Sequence, residues 1–371
     1  MRLLEPITIR GMQLRNRIVM PAMQVFIGVR GRRARAYYTE RARGGVAAVI
    51  VAPISVDLFV RDEAWGQPGA VASFVDGLRP LTAAVHEAGG KLGLQLWHGN
   101  RFPAGMGEAV DSSNADSPGE RVAPSARDDM RQLSVDEIGS IVSQFATAAN
   151  RCQEAGFDFV ELHGAHGYLP CQFFSPIDNQ RTDGYGGDLS RRMRFGLECV
   201  AAVRGAVGDD YPLFFRLATE EKRPGGIALA DSIEYALELE RAGVDALNVS
   251  IGAADFSDWV PPKKFPEGTF VPQAAAIKRK VHVPVIAVGR IHRAELAESI
   301  LAEGKADLIA MGRQLIADPF WPRKVMEGRT QEIIACDSCN TNCVADLASG
   351  KSLCRHNERA GKESEIPLPQ V

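Results

Sequence analysis

The residues with the clearest chemical potential in this chain are four cysteines close together near its C-terminus. Cys336, Cys339, Cys343 and Cys354 are separated by two, three and ten residues. Thiolates at such short spacings are typical of a metal site, and four cysteines that need no histidine suit a [4Fe–4S] cluster. The uneven spacing differs from the paired CxxC motifs of zinc ribbons, but structural zinc is the alternative. The other three cysteines are scattered and are expected to take no part.

A second group combines two imidazoles and a phenol. His163 ends the apolar run FDFVELH, and His166 and Tyr168 follow it directly. Such side chains can bind a metal, or they can stabilise negative charge that develops on a substrate oxygen while a proton is delivered. A single histidine is more often a core or surface residue, but three polar rings at one strand end favour a site.

Two glycine–arginine pairs indicate a phosphate site. Gly289-Arg290 and Gly312-Arg313 each follow a short apolar run. Glycine lets backbone N–H groups approach an anion closely, and arginine adds positive charge. The alternative is a pair of tight turns with surface arginines.

These groups need a scaffold, and the apolar pattern of the chain indicates its class. Eight short apolar runs alternate with segments of helical spacing, which predicts a parallel sheet buried on both faces. Eight such units are the number that closes a (β/α)₈ TIM barrel, whereas an open sheet with a dinucleotide site would carry a GxGxxG after its first strand. The runs are RIVM (17–20), VAAVIVA (46–52), KLGLQLW (91–97), FDFVELH (157–163), PLFFRL (212–217), DALNVSI (245–251), PVIAVG (284–289) and ADLIAMG (306–312).

In such a barrel the active site lies at the carboxyl ends of the strands. The histidines, Tyr168 and both glycine–arginine pairs stand at such ends. Two long segments, 99–133 and 252–272, also follow strands and would overhang this face. The second carries Trp259 and several other aromatic and proline residues, which favour a lid.

Composition excludes several classes of partner. Lys and Arg number 43 against 46 Asp and Glu, a net charge of −3, so a nucleic-acid surface is not expected. No run of 18 apolar residues is present, so no membrane span is expected. The N-terminus lacks a long apolar signal segment, and the odd number of cysteines argues against a disulfide framework. We therefore expect a cytoplasmic protein.

Several motifs together resemble those of one family. The stretch HGAHGYLPCQFFSPIDNQRTDGYGGDLSRRMRF (163–195) is the most specific, and LLEPITIRGMQLRNRIVMPAM, QLWH (95–98) and ADLIAMGRQLIADPFWPRKV (306–325) agree with it. The chain resembles the Old Yellow Enzyme superfamily of NAD(P)H:flavin oxidoreductases. The four cysteines resemble those of its iron–sulfur branch, which includes 2,4-dienoyl-CoA reductase, 2-enoate reductase and trimethylamine dehydrogenase.

The resemblance implies a cofactor and a role for each motif residue. FMN would lie at the barrel mouth, with Arg216 near N1 and O2 of the flavin. His163 and His166 would bind the substrate oxygen, Tyr168 would donate a proton, and the four cysteines would hold a [4Fe–4S] cluster. The other residues implied to contact FMN are Ala22, Met23, Gln24, Ala52, Gln95, Gly289, Arg290, Gly312 and Arg313. The implied domains are an FMN-binding barrel at 1–328 and an iron–sulfur segment at 329–371.

The resemblance implies two activities. The first is an ene-reductase acting on an α,β-unsaturated carbonyl or enoyl thioester, and the second is an oxidative N-demethylase or amine dehydrogenase. The large iron–sulfur members continue into FAD- and NAD-binding domains, whereas this sequence ends at Val371. We therefore expect electrons to come from NADH or NADPH directly, or to pass to or from a separate electron-transfer protein at the cluster. Relatives are often dimers or larger, so a homo-oligomer is expected.

Overall fold

Eight parallel strands close into a barrel in the order in which they occur along the chain. The computed structural model describes residues 1–62, 69–98, 122–126, 130–252, 256–347 and 349–368. Each barrel strand overlaps one of the predicted apolar runs, so the predicted (β/α)₈ architecture is confirmed. The barrel strands are β3 (Ile18–Met20), β4 (Ala48–Ser55), β5 (Lys91–Trp97), β8 (Phe159–Gly164), β9 (Leu213–Ala218), β10 (Ala246–Ser250), β11 (Val285–Ala287) and β12 (Leu308–Ala310).

Helices surround the barrel, and local sequence signals mark several of their ends. Ser134 and Glu137 form a capping box at the start of α4 (Val135–Glu154), and Asp188 caps α6 (Leu189–Val207). Gly243, with φ of 100°, lies just beyond Ala242, the C-cap residue of α7 (Leu229–Arg241). The helices are α1 (Gly31–Arg43), α2 (Ala70–Asp76), α3 (Arg79–Glu87), α4 (Val135–Glu154), α5 (Leu169–Phe174), α6 (Leu189–Val207), α7 (Leu229–Arg241), α8 (Phe256–Trp259), α9 (Val271–Lys278), α10 (Ala294–Ala302), α11 (Arg313–Ala317) and α12 (Trp321–Met326).

The bottom of the barrel is closed by a hairpin that the sequence pattern did not predict. Strands β1 (Ile7–Ile9) and β2 (Met12–Leu14) pair antiparallel, and their apolar side chains join the cluster inside the barrel. Phe159 and Phe214 fill that interior with ring centroids 4.4 Å apart. Because the bottom is plugged by packed side chains, only the opposite face is available for a ligand.

Residues 359–363 near the C-terminus pack on the outside of the barrel against α1. Arg359 pairs with Glu40 at 2.7 Å, and the fully buried Arg41 pairs with Glu363. One partly buried and one buried ion pair therefore hold these residues on the barrel. The division into units at residue 328 stays a prediction. In the described part of the chain, no helix is both long enough and apolar enough to span a membrane.

Candidate active site

One cavity opens at the carboxyl ends of the barrel strands. It is formed by strand ends, by the segment around Trp259 and by the first turns that follow β11 and β12. All the residues predicted to contact substrate or FMN line it, with the exception of Ala52. The lining residues from that predicted set are Ala22, Met23, Gln24, Gln95, His163, His166, Tyr168, Arg216, Gly289, Arg290, Gly312 and Arg313.

Ala52 lies behind the cavity wall, and its neighbour Pro53 lines the cavity instead. The backbone N–H of Ala52 donates to the hydroxyl of Tyr38 at 3.2 Å. Proline has no N–H for the ladder, and the register of β4 against β5 shifts between Val51 and Ile54. This irregularity turns Pro53 toward the cavity in place of Ala52. The apolar run in the sequence did not reveal this change.

The two histidines and the tyrosine form one cluster of rings. The ring centroid of His163 lies 5.0 Å from that of His166 and 4.5 Å from that of Tyr168. Trp97 packs on Tyr168 at 4.9 Å, and the ring of Trp259 lies 4.6 Å from that of His166 with 33° between the planes. The three polar rings and Trp259 therefore line one cavity, and Trp97 supports Tyr168 from outside that lining.

Hydrogen bonds within the protein occupy one ring nitrogen of each histidine and leave the other for a ligand. The N–H of Ala165 donates to Nδ1 of His163 at 3.4 Å, which leaves the proton of this neutral ring on Nε2. Nε2 of His166 lies 2.7 Å from Oγ of Ser250, so its Nδ1 is the nitrogen left for a ligand. His166 also has a φ of 58°, a conformation that side chains other than glycine adopt rarely and mostly at functional sites.

Burial keeps these groups uncharged at neutral pH. Burial, together with the charge of Arg216, lowers the pKa of both His163 and His166 well below the usual value. Burial raises the pKa of Tyr168 to about 12. The site therefore presents two neutral imidazoles as hydrogen-bond donors and a phenol that keeps its proton.

The buried carboxylate of Glu161 supports the floor of the cavity, and the sequence motifs did not predict it. Oε1 of Glu161 accepts from Nε2 of Gln95 at 2.7 Å, and its Oε2 accepts from Nδ2 of Asn248 at 2.8 Å. Burial raises the pKa of Glu161, and the charge of Arg216 opposes that shift. The sequence did contain a signal for this group, namely a charged or amide residue inside an apolar strand run. A polar residue that faces into a barrel needs hydrogen-bond partners from neighbouring strands.

The two glycine–arginine pairs meet at one side of the cavity, as the phosphate prediction requires. A Cβ on Gly289, whose φ is 113°, would lie 2.7 Å from the ring of Phe270. A Cβ on Gly312 would lie 2.8 Å from Sδ of Met23. Glycine is required at 289, whereas a side chain at 312 would need Met23 to move; the absence of side chains leaves the backbone accessible from the cavity at both positions.

The two predicted lid segments are only partly described. Trp259, Val260, Pro261 and Phe270 of segment 252–272 line the cavity. Residues 253–255 and most of segment 99–133, namely 99–121 and 127–129, lie outside the described residues.

The four cysteines line a second, smaller cavity beside the first. Cys343, Arg313 and Ile316 line both cavities, so a thin layer of side chains separates them. Burial raises the pKa of Cys336, of Cys354 and, to about 12, of Cys343. Over the residues that the structure describes, no three or more His, Cys, Asp or Glu side chains have the arrangement that holds a metal ion.

Comparison with known proteins identifies the family. The model of the NADH:flavin oxidoreductase / NADH oxidase family matches residues 2–332. The chain therefore belongs to this family, and the matched range contains the whole barrel. The four cysteines lie beyond the matched range.

Individual relatives agree with this assignment. An NADH oxidase of Thermoanaerobacter brockii is 40% identical, over 98% of this chain and 57% of its own length. A cinnamate reductase of Clostridium sporogenes is 31% identical, over 100% of this chain and 59% of its own length. The solved structure of 2-naphthoyl-CoA reductase with 2-naphthoyl-CoA has a TM-score of 0.87 and 29% identity, over 98% of this chain and 58% of that one. The chain thus spans somewhat more than half the length of these proteins.

Proposed function

We propose that the protein is an FMN-dependent ene-reductase that acts on an α,β-unsaturated carbonyl compound or enoyl thioester. The observation that carries the proposal is the shared cavity of two neutral imidazoles and a protonated phenol. Neutral N–H donors stabilise the negative charge that develops on a carbonyl oxygen, and a phenol with a high pKa remains a proton donor across the neutral range. The cinnamate reductase among the relatives supports the same reaction class.

The residues around the cavity fit FMN. Nε of Arg216 is buried, and no described residue accepts a hydrogen bond from it. A buried cation with an unused donor suits an electron-rich ring edge or another anion. Gly289 and Gly312 leave backbone accessible beside Arg290 and Arg313, which suits a phosphate.

Each residue of the site has a separate task in this proposal. Bound FMN supplies reversible two-electron transfer to the substrate. Nε2 of His163 and Nδ1 of His166 donate to the substrate oxygen and so fix the orientation of the alkene. Tyr168 gives its proton to the α-carbon. Trp259, which lines the cavity beside His166, limits the access of water to the reacting atoms.

We also propose that Cys336, Cys339, Cys343 and Cys354 bind a [4Fe–4S] cluster. The support is the donor set, four thiols and no histidine, around one cavity. Iron and sulfide analysis after anaerobic purification tests this: about four of each per chain support the cluster. Stoichiometric zinc would refute it.

The aromatic walls favour amine oxidation as a second candidate. Tyr168 and Trp259 line the cavity, Trp97 packs on Tyr168, and the faces of such rings attract ammonium groups. Anaerobic titrations separate the candidates. Reduced protein mixed with 2-cyclohexenone regains its oxidised flavin spectrum if it is an ene-reductase. Oxidised protein mixed with an N-methylated amine loses that spectrum if it is a demethylase, and this result without reaction with the enone would overturn our proposal.

The reductant is tested in the same apparatus. We propose NADH or NADPH, which is consistent with the description of the family. Bleaching of the oxidised flavin by one of them under anaerobic conditions supports direct reduction. Bleaching by neither nucleotide, but by dithionite, would indicate a separate electron-transfer protein instead.

A further inference from the structure

The side chain of Asn340 joins the wall of the active-site cavity to the segment that carries the four cysteines, called the cysteine segment below. Its Nδ2 donates to the backbone carbonyl of Val260 at 2.8 Å. Its Oδ1 accepts from Nη1 of Arg313 at 2.5 Å. Val260 and Arg313 both line the cavity, whereas Asn340 lines the cysteine cavity behind it. One amide group therefore connects three parts of the chain that are distant in sequence.

A second contact reinforces this connection. Oγ of Ser338 accepts from Nε of Arg290 at 3.1 Å and lies 2.9 Å from Nε2 of His292. Arg290 in turn donates through Nη1 to the carbonyl of Lys263 at 3.1 Å. Both arginines of the predicted phosphate site thus bind the cysteine segment, and the wall segment 259–263 is held at each end.

The identity of residue 340 matches all of its contacts. Its φ is 56° and its ψ is 22°, the left-handed conformation that asparagine tolerates better than most residues. Aspartate tolerates the same backbone but has no donor for the Val260 carbonyl. Glycine adopts the backbone freely but offers neither side-chain bond. Asparagine alone of these three supplies the conformation, the donor and the acceptor.

The carbonyl that Asn340 holds belongs to the residue next to Trp259. Trp259 packs on His166 with 33° between the ring planes, and His166 is one of the two imidazoles that face the cavity. The described contacts of this wall with the barrel also include the ion pair of Lys222 with Asp258 at 3.4 Å. A shift of Val260 would move Trp259 and so change the space beside His166.

We infer that Asn340 is a positioning residue that fixes the Trp259 wall of the substrate pocket to the phosphate arginine and the cysteine segment. The cysteine segment then shapes the pocket in addition to any role in electron transfer. The consequence for substrate affinity rests on the proposed function. The consequence for the order of the wall does not, because it follows from the hydrogen bonds alone.

The test compares three variants of the full chain by hydrogen–deuterium exchange. Asn340→Asp keeps the acceptor for Arg313 and removes the donor to Val260, and Asn340→Gly removes both. Asn342→Asp is the matched control, because Nδ2 of Asn342 donates at 2.9 Å to the carbonyl of Ser352 within the cysteine segment itself. Loss of one hydrogen bond of ordinary strength predicts roughly fivefold faster exchange of the peptide 256–268 in both Asn340 variants. Asn342→Asp should instead speed exchange only in the peptide 349–362.

Substrate affinity is the second measurement. We expect Asn340→Asp to raise the dissociation constant of 2-cyclohexenone for dithionite-reduced protein roughly fivefold, with a smaller change in the limiting rate of flavin reoxidation. Wild-type exchange at 256–268 in both Asn340 variants would overturn the inference, as would identical exchange patterns in the Asn340 and Asn342 variants. If exchange changes as expected but the protein does not react with the enone at all, the proposed function fails and the positioning role stands.

Discussion

Tyr168→Phe provides the sharpest test of the proposed chemistry, because it removes one oxygen atom and little else. The ring packs between His163 and Trp97, and those contacts remain in phenylalanine. No described residue forms a hydrogen bond with the hydroxyl, so the free energy of unfolding should change by less than about 0.5 kcal/mol. General acid catalysis typically contributes 10²- to 10⁴-fold, so the barrier for alkene reduction should rise by about 2.7–5.4 kcal/mol.

The assay is anaerobic stopped-flow reoxidation of dithionite-reduced protein by 2-cyclohexenone. The limiting rate constant should fall by at least about 100-fold in the variant, while FMN content and the rate of flavin reduction stay unchanged. In the wild-type protein the rate should be flat between about pH 7 and 9. The pKa of Tyr168 is raised to about 12 and the pKa values of His163 and His166 are lowered, so none of the three titrates there. An unchanged rate constant in the variant would show that Tyr168 is not the proton donor.

Three further predictions concern the cofactor site and stability. Gly289→Ala places a Cβ 2.7 Å from the ring of Phe270 at a φ of 113°, so the dissociation constant of FMN should rise at least about tenfold. Gly208→Ala is the control, because a Cβ there meets nothing within 4 Å. Equal effects of the two substitutions on FMN binding would refute the argument. Glu161→Gln removes a buried negative charge below the cavity, so the flavin potential should become more positive by spectroelectrochemistry; a potential at or below the wild-type value would contradict this. Four buried histidines have lowered pKa values in the folded protein, so below about pH 6.5 the unfolded chain binds more protons than the folded chain. The free energy of unfolding then falls by at most about 1.4 kcal/mol per pH unit for each histidine, and the raised pKa of Glu161 offsets at most one of them. These buried histidines, with lowered pKa values, are His98, His163, His166 and His292. Urea unfolding at about pH 7.5 and 5.5 should therefore show a loss of several kcal/mol that becomes smaller in His98→Gln; equal stability at both pH values would exclude this account.

Much of the fold was accessible from the sequence because its signals are local. A strand buried on both faces needs a continuous apolar run, so each of the eight strands left a mark such as KLGLQLW. The helix signals at Ser134, Asp188 and Gly243 are equally local. The prediction that residues at the carboxyl ends of the strands form one site came from the general rule that barrel active sites lie at that face. It did not come from a property of the individual residues.

The sequence did not reveal the contacts that hold the site in place. Glu161 joins Gln95 and Asn248 from strands 66 and 87 residues away. Ala52 was predicted to contact FMN, but the shift in register at Pro53 places it behind the cavity wall. Whether a strand residue faces the cavity depends on the register of the neighbouring strands, which no single run encodes.

The sequence by itself determined the barrel, the chemical groups at its mouth and the four-cysteine donor set. Only the tertiary structure decided which ring nitrogens face the cavity, which carboxylate supports its floor and how the cysteine segment meets its wall. The side chain of Asn340 donates to the carbonyl of Val260, 80 residues earlier in the chain, and the backbone of Asn340 is in the left-handed conformation. Such a contact depends on distances across the folded molecule, and these arise only when the packed core has fixed the position of every strand and loop.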